Sequence, residues 1–146
     1  MQKFFGILLG GIFLISSVSF AAISPNKIAI GKITPGMSVQ DLISICGQPN
    51  YKHGDHWEYG NFTVEVDDDR PNIVEKIETR SGGISTPDGI AVGQNADVLN
   101  SLGQADKVDV EHDGTEYEYF SADRTKKIEF KVVNGGIVKI SCKIID

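Results

Sequence analysis

The apolar residues of this chain recur at two different spacings, and the same succession of spacings occurs twice. Residues 39–46 and 96–102 carry apolar side chains every three or four positions, which predicts two short helices. Ser38 and Asn95 precede these segments as N-cap residues, and a glycine follows each segment as a helix stop. The sequence therefore predicts one short helix near the start of each half.

Alternation of apolar and polar residues follows each predicted helix and predicts antiparallel strands. Gly60-Asn61 and Asn134-Gly135 are dipeptides typical of tight hairpin turns. The stretch 50–55 lacks clear alternation and is predicted to be a loop. The predicted strands are 56–59, 62–66 and 73–78 in the first half, and 108–111, 116–120, 126–133 and 137–144 in the second.

The two halves share individual residues as well as the order of their elements, which indicates an internal repeat. The corresponding pairs are Gly36 and Gly93, Leu42 and Leu99, Gly47 and Gly103, and Trp57 and Tyr117. Each half alone is too small to bury a sizeable core. We therefore predict an α+β fold of two tandem helix-plus-antiparallel-sheet repeats, with the helices on one face of the sheet. The first repeat is predicted at 22–80, a linker at 81–89 and the second repeat at 90–146.

The first 21 residues have the pattern of an export signal. Lys3 precedes an apolar run from 4 to 20, and Ser19 and Ala21 supply the small side chains of a cleavage site. A run of about 17 residues is short for a membrane-spanning helix, which needs roughly 20, although a retained anchor is the alternative. We expect a signal peptide at 1–21 and an exported protein, periplasmic or secreted, without stable membrane insertion after cleavage.

The charge of the chain limits its partners. The formal net charge is −6 and the acidic residues are scattered, whereas nucleic-acid binding needs clustered lysine and arginine. We therefore expect no nucleic-acid partner. The sequence also has no nucleophile motif, phosphate-binding glycine loop or dinucleotide fingerprint, so we expect no catalytic activity and no cofactor.

Histidines near the predicted 50–55 loop raise the question of a metal site. His53, Asp55 and His56 are close in sequence, and His112 occupies the corresponding place in the second half. Imidazole and carboxylate groups bind zinc and copper, but this spacing matches no standard site. We predict solvated loop residues and no metal, and we keep a metal-responsive protein as an alternative hypothesis.

The two cysteines, Cys46 and Cys142, lie in different halves of the chain. In an oxidising compartment an even number of cysteines suggests a disulfide, which would stabilise this chain by roughly 4 kcal/mol on the chain-entropy model. The alternative is a pair of buried thiols that pack as small apolar side chains. Both residues fall on apolar faces of predicted elements, so both interpretations remain open.

A wider motif in the first half consists of Gly36-Met37-Ser38, Leu42, Gly47-Gln48-Pro49 and Trp57-Glu58-Tyr59. This motif resembles the SmpA/OmlA (BamE-like) envelope domain, and its tandem arrangement is similar to the β-lactamase inhibitor protein of the same structural superfamily. The resemblance implies a non-enzymatic protein-binding module of the cell envelope, in outer-membrane protein assembly or envelope maintenance. The alternative is a secreted proteinaceous enzyme inhibitor. The expected partner is accordingly another protein, either an envelope β-barrel assembly component or a hydrolase.

The resemblance further implies that a sheet face rich in aromatic residues contacts the partner. The candidate residues are Trp57, Glu58, Tyr59, Tyr117, Tyr119 and Phe120. The alternative for the tryptophan and the three tyrosines is the core, because one side of each strand must be buried. If the opposite face is lined by His56, Glu58, Glu116, Glu118 and Phe120, it is acidic and favours a basic partner.

Overall fold

A computed structural model describes residues 22–146, and the predicted signal peptide lies outside these residues. Eight strands form one antiparallel sheet. The strands are β1 (Tyr51–His53), β2 (His56–Glu58), β3 (Thr63–Val66), β4 (Val74–Thr79), β5 (Lys107–Glu111), β6 (Gly114–Phe120), β7 (Lys126–Val133) and β8 (Gly136–Ile144). The helices are α1 (Val39–Cys46) and two 3-10 helices, Pro25–Lys27 and Ala96–Leu102.

The strand order across the sheet is β1-β2-β3-β4-β8-β7-β6-β5. Each group of four consecutive strands is a meander, and the two meanders join where β4 pairs with β8. The pairing runs from Lys76 opposite Lys143 to Thr79 opposite Ile140. Consequently β1 and β5 are the two edges of one continuous sheet.

The predicted fold of two tandem helix-plus-sheet repeats is wrong. The helix α1 buries only Leu42, and Ala96–Leu102 is a 3-10 helix that buries only Leu99. A helix of eight residues is about 12 Å long, whereas eight strands extend over about 33 Å, so such helices cannot cover the sheet. The protein is mostly a single eight-stranded sheet. No helix within residues 22–146 is both long enough and apolar enough to cross a membrane.

Irregular segments cover one face of the sheet in place of helices. Ile30 and Ile33 before α1, and Ile90 before the second 3-10 helix, are buried and belong to the hydrophobic core. The two covering segments also contact each other, since the Gly31 amide donates to the Ser85 carbonyl at 2.7 Å. Sequence periodicity could not reveal this layer, because the segments have no regular spacing of apolar residues.

Several local predictions are confirmed. The helix at 39–46 forms, and its Ser38 side chain accepts a backbone N–H of the first turn. Asn134-Gly135 forms the hairpin between β7 and β8, with φ of 50° and 77° as a type I′ turn requires. The stretch 50–55, predicted as a loop, instead contains β1, which pairs with β2 as a hairpin.

Candidate functional site

Side-chain alternation gives the sheet a buried face and an open face. Six residues opposite one another across neighbouring strands line the middle of the buried face, namely Trp57, Val64, Ile77, Cys142, Ile128 and Tyr119. All six are buried. Apolar residues of the irregular segments join this same core. The open face, formed by the alternate residues of the strands, carries charged and partly exposed side chains.

Two neighbouring rows of residues cross the open face. The acidic row consists of Glu58, Thr63, Glu78, Ser141, Glu129 and Glu118, and the basic row contains Lys76, Lys143 and Lys127. The Lys76 ammonium lies 3.2 Å from Glu78, and the Lys127 ammonium lies 2.7 Å from Glu118. Glu65 lies in the basic row opposite Lys76, so the two rows together hold five glutamates and three lysines. The open face is therefore a network of ion pairs with an excess of acidic groups.

The prediction of an acidic face was incomplete, because lysines lie on this face as well. The residues proposed for it do share the open face, namely His56, Glu58, Glu116, Glu118 and Phe120. However, the prediction left out the lysines of β4, β7 and β8, which lie between those acids. These lysines follow the same alternation along their strands, so strand pairing was the information that the sequence did not supply.

A groove opens at the end of β2, β3 and β4, beside the Gly60-Asn61 turn. Its volume is about 440 Å³. The side chains that line it are His56, Tyr59, Asn61, Phe62, Thr63, Glu78, Arg80 and Ser81. We call this feature the hairpin groove. It combines two aromatic rings with charges of both signs in one accessible depression.

Hydrogen bonds and ring stacking fix the walls of the hairpin groove. The buried Thr79 hydroxyl donates to the Asn61 carbonyl at 2.6 Å. The rings of Tyr59 and Phe62 stack with centroids 4.8 Å apart, and the Tyr59 hydroxyl donates to the Gly47 carbonyl at 2.9 Å. The turn is thereby tied both to the sheet and to the end of α1.

Arg80 and His56 of the hairpin groove make only loose contacts with acidic side chains. Arg80 Nε lies 3.7 Å from Glu78 Oε1, and the Arg80 side chain is 69% exposed. His56 Nε2 lies 3.7 Å from Glu58 Oε1 at the groove's other side. Exposed pairs at such distances contribute little to stability, so these groups are available to exchange partners.

Two of the six predicted contact residues belong to the core. Trp57 is 5% exposed, its indole N–H donates to the Gly54 carbonyl at 3.3 Å, and the Lys52 ammonium lies 4.2 Å from its ring centroid. Tyr119 is 2% exposed and packs edge-on against Phe130, with centroids 5.9 Å apart. Both rings fill space that the fold needs, so a partner does not reach them in this structure.

The other four predicted contact residues lie in different places. Tyr59 and Tyr117 are partly buried and pack against the core, and Tyr59 also lines the hairpin groove. Glu58 and Phe120 lie on the open face, where Phe120 faces the Arg124 guanidinium at 5.2 Å. The six residues therefore do not form one aromatic surface. Trp57 and Tyr119, which would be the centre of such a surface, are part of the hydrophobic core.

Sequence reasoning missed Tyr51 on β1 and considered His53 only as a metal ligand. Tyr51 and His53 stack in parallel with centroids 6.4 Å apart, and Tyr51 is 56% exposed. They lie opposite Glu58 and His56 on the open face. The Gly54-Asp55 pair between β1 and β2 is a hairpin signal that would have identified this strand.

Cys46 and Cys142, the candidate disulfide pair, are both free thiols in the structure. Cys142 is completely buried in the middle of the sheet between Ile77 and Ile128, whereas Cys46 lies at the end of α1. Burial raises the pKa of both thiols. They therefore behave as small packing residues, which was the alternative interpretation of the sequence.

The four residues of the metal hypothesis do not all come together. His53 and His56 are neighbours across the β1–β2 hairpin, with Asp55 in the turn between them. His112 lies in the β5–β6 hairpin, at the other edge of the sheet. Within residues 22–146 no group of three or more histidine, cysteine, aspartate or glutamate side chains is placed to hold a metal ion.

Comparison with known proteins identifies related folds. No family model and no curated protein matches this chain. A DUF4309 family protein (YjgB) from Bacillus subtilis has a similar structure, with a TM-score of 0.53 and 14% identity over 74% of this chain and 78% of that chain. An extracellular protein containing an SCP domain from Bacillus anthracis gives a TM-score of 0.50 and 9% identity. That match covers 99% of this chain and 50% of that chain, so this chain spans half the length of the second protein. At these identities the likeness concerns the fold alone.

Proposed function

We propose that this chain is a non-enzymatic, exported module that binds another protein through the hairpin groove and the open face around it. The observation that carries the proposal is the contrast between the two faces of the sheet. One face is packed with apolar residues, while the other carries exchangeable charges around an accessible groove with aromatic walls. A fold of this kind presents a rigid surface to a partner.

The chemistry of the groove suits a short segment of a partner protein. Tyrosine and arginine are the residue types that most often dominate binding energy at protein interfaces, and here Tyr59 and Arg80 line the same depression. Phe62 supplies a second ring, and Glu78 and His56 supply polar groups at the sides. We infer a partner segment with an apolar or aromatic side chain flanked by charged residues.

The remaining chemistry of the chain supports binding without catalysis. Burial raises the pKa of Cys46 and Cys142, so neither thiol is an activated nucleophile. The open-face residues Lys76 and Lys127 are paired with glutamates, and the net charge of the chain is −6, which disfavours binding to nucleic-acid phosphates. The proposal therefore includes no cofactor and no nucleic-acid partner.

Export rests on the N-terminal pattern of residues 1–21. The structural neighbour from Bacillus anthracis is an extracellular protein, which agrees with export. The direct test is the mass of the protein recovered from its host. Cleavage predicts a chain that begins at Ala22, whereas a full-length chain held in the membrane fraction would contradict export as a free protein.

The partner is proposed to be an envelope protein. The motif that ends at Trp57-Glu58-Tyr59 supports this through its resemblance to the SmpA/OmlA domain, with a β-barrel assembly component as the first candidate partner. The aromatic face was expected to contact either kind of partner, and the burial of Trp57 and Tyr119 removes it as the contact surface in both cases. The binding experiment must therefore distinguish an envelope partner from a hydrolase that this chain inhibits.

The experiment is affinity capture of partners from envelope extract of the host, identified by mass spectrometry and repeated with purified components by calorimetry. The groove variant is Arg80→Glu, which reverses a charge that is 69% exposed. The matched control is Lys32→Glu, the same charge change at an exposed position of the segment before α1. Both variants should keep the wild-type melting temperature, because neither side chain is buried.

We expect the wild type and Lys32→Glu to capture the same envelope protein, and Arg80→Glu to bind it at least about tenfold more weakly. Equal capture by all three would show that the groove is not the binding site. Recovery of a single hydrolase whose turnover falls at stoichiometric protein would favour the inhibitor alternative. The proposal would be contradicted if no captured protein bound this chain again once both were purified.

A further inference from the structure

The edge strand β5 has the properties of an interface. It is five residues long, pairs with β6 without a register shift, and is the outermost strand of the second meander. Val108 is 50% exposed and Val110 is 83% exposed. Both valines lie on the same side of the sheet as the core, opposite Tyr117 and Thr115 of β6, but beyond the segments that cover it. Apolar side chains next to an unpaired strand edge favour pairing with another strand.

The other edge strand, β1, is protected against pairing with another strand, whereas β5 is not. The strand β1 has only three residues, and its Lys52 lies on the core side with its ammonium 4.2 Å from the Trp57 ring centroid. Short length and an inward-pointing charge are both devices that prevent edge pairing. Within its five residues β5 has neither a proline nor a charge on the core side.

The sequence of β5 is complementary to itself. If two copies pair antiparallel about a two-fold axis at Asp109, Lys107 of each copy lies opposite Glu111 of the other. The same register places Val108 opposite Val110 twice, on the side of the sheet where both are exposed. Opposite charges and β-branched pairs directly across antiparallel strands are both stabilising.

We propose that β5 is a homodimerisation strand, which joins two copies into one continuous sheet with Asp109 on the two-fold axis. The single unfavourable contact is between the two Asp109 carboxylates. Each of them is already paired with Lys107, whose ammonium lies 3.0 Å from Asp109 Oδ2. Of the registers that keep the faces aligned, only this one pairs all five residues of the strand.

This inference goes beyond the proposed function and does not depend on it. The hairpin groove lies in the first meander, near the opposite edge of the sheet, so pairing through β5 leaves it free. A dimer would present two grooves, and a partner with two binding segments would be held more tightly than by one groove. Self-association is measured with no partner present, so each proposal can fail without the other.

The first test is sedimentation of the protein purified from cells that express the full chain. A small strand-to-strand interface predicts weak association, so the concentration range should cover about 1 to 500 μM. We expect wild type to form dimers in this range and Val110→Lys to weaken dimerisation at least about tenfold. The matched control is Ile45→Lys on α1, where the native side chain is 48% exposed, and it should dimerise like wild type.

The second test fixes the register by disulfide cross-linking in a Cys46→Ala background, where Cys142 is completely buried. Asp109→Cys should cross-link two copies on mild oxidation, because each cysteine lies directly opposite its own symmetry mate. Val108→Cys and Val110→Cys, tested singly, should remain monomers on denaturing gels. Wild-type protein that is monomeric throughout, dimerisation unaffected by Val110→Lys, or cross-linking through Val108→Cys instead of Asp109→Cys would each overturn the proposal.

Discussion

Lys127 and Glu118 form an ion pair on the open face, with Nζ 2.7 Å from Oε1. The Glu118 residue is 8% exposed, so this pair is more buried than the loose pairs at the hairpin groove. Burial lowers the pKa of Lys127, but hydrogen bonds to Glu118 and Glu129 raise it more, and the net pKa lies above the ordinary value. The pair joins the neighbouring strands β6 and β7 at the side chains as well as at the backbone.

The first prediction concerns this ion pair. Glu118→Gln should lower the free energy of unfolding by about 1–2 kcal/mol, because the Lys127 ammonium loses one of its two charged partners, and Glu129 remains. Glu116→Gln is the matched control on the same strand and the same face, where the native side chain makes no ion pair with any residue of 22–146. Urea unfolding measures both, and equal effects of the two variants would contradict the special role of Glu118.

The second prediction concerns Trp57, which the structure places in the core. Trp57→Ala should destabilise the protein by about 3–5 kcal/mol, as expected for removal of a large buried ring. Because Trp57 is the single tryptophan, native fluorescence should be blue-shifted relative to the unfolded chain. Phe120→Ala, on the open face, should cost much less. If Trp57 instead served a partner on an exposed surface, its emission would lie at the unfolded position and the alanine variant would stay stable.

Local elements of this fold could be predicted from the sequence, but their assembly could not. Ser38 and Asn134-Gly135 act through neighbouring backbone groups, so their helix cap and hairpin turn were identified correctly. The pairing of β4 with β8 depends on residues far apart in the chain, such as Ile77 and Cys142. No local pattern encodes that contact, and the two meanders were therefore predicted as tandem repeats covered by helices.

The candidate site shows the same division between local and long-range information. Alternation correctly grouped Glu58, Glu118 and Phe120 on one face of the strands. It could not show which face the irregular segments would cover, so Trp57 and Tyr119 were considered for binding although they are core residues. The hairpin groove was missed because its walls come from three strands and a turn that meet only in the folded sheet.

The third prediction concerns the thiols. In the native protein Cys142 should not react with a thiol reagent until the chain unfolds, because the residue is completely buried and burial raises its thiol pKa. Cys46 is partly exposed and should react first, but slowly, because burial raises its pKa as well. Removal of reductant should leave the melting temperature unchanged.

The Cys46→Ala variant assigns these thiol reactions, since it should lose the early phase and keep the reaction that accompanies unfolding. The number of free thiols per chain should then be counted in protein that has been unfolded without reductant, because this number shows whether the two cysteines are bridged. Two free thiols per chain agree with the structure. No free thiols in the exported protein would mean that Cys46 and Cys142 are bridged and that the packing at α1 differs from the structure.

The last prediction concerns Asp67 at the turn between β3 and β4. Its carboxylate accepts hydrogen bonds from the Arg70 guanidinium at 2.7 Å and from the backbone N–H groups of Arg70 and Asp69 at 2.9 Å. The side-chain bond to Arg70 is the main cause that lowers the pKa of Asp67 in the folded protein. Because the folded pKa is below the unfolded value of about 3.9, this stabilisation is present above about pH 4 and is lost as the pH falls through the folded pKa.

Asp67→Asn should accordingly lower the melting temperature by a constant amount between about pH 5 and pH 8. In this range the wild-type Asp67 carboxylate is ionised in both the folded and the unfolded protein. The difference from wild type should shrink below about pH 4, because wild type then loses the same contribution. Asp68→Asn is the matched control, since it removes the same charge from the next residue of the turn, whose side chain makes no hydrogen bond within residues 22–146. Melting curves across this range measure all three proteins. A difference between wild type and Asp67→Asn that grows toward acid pH would show that the carboxylate is not held ionised by Arg70.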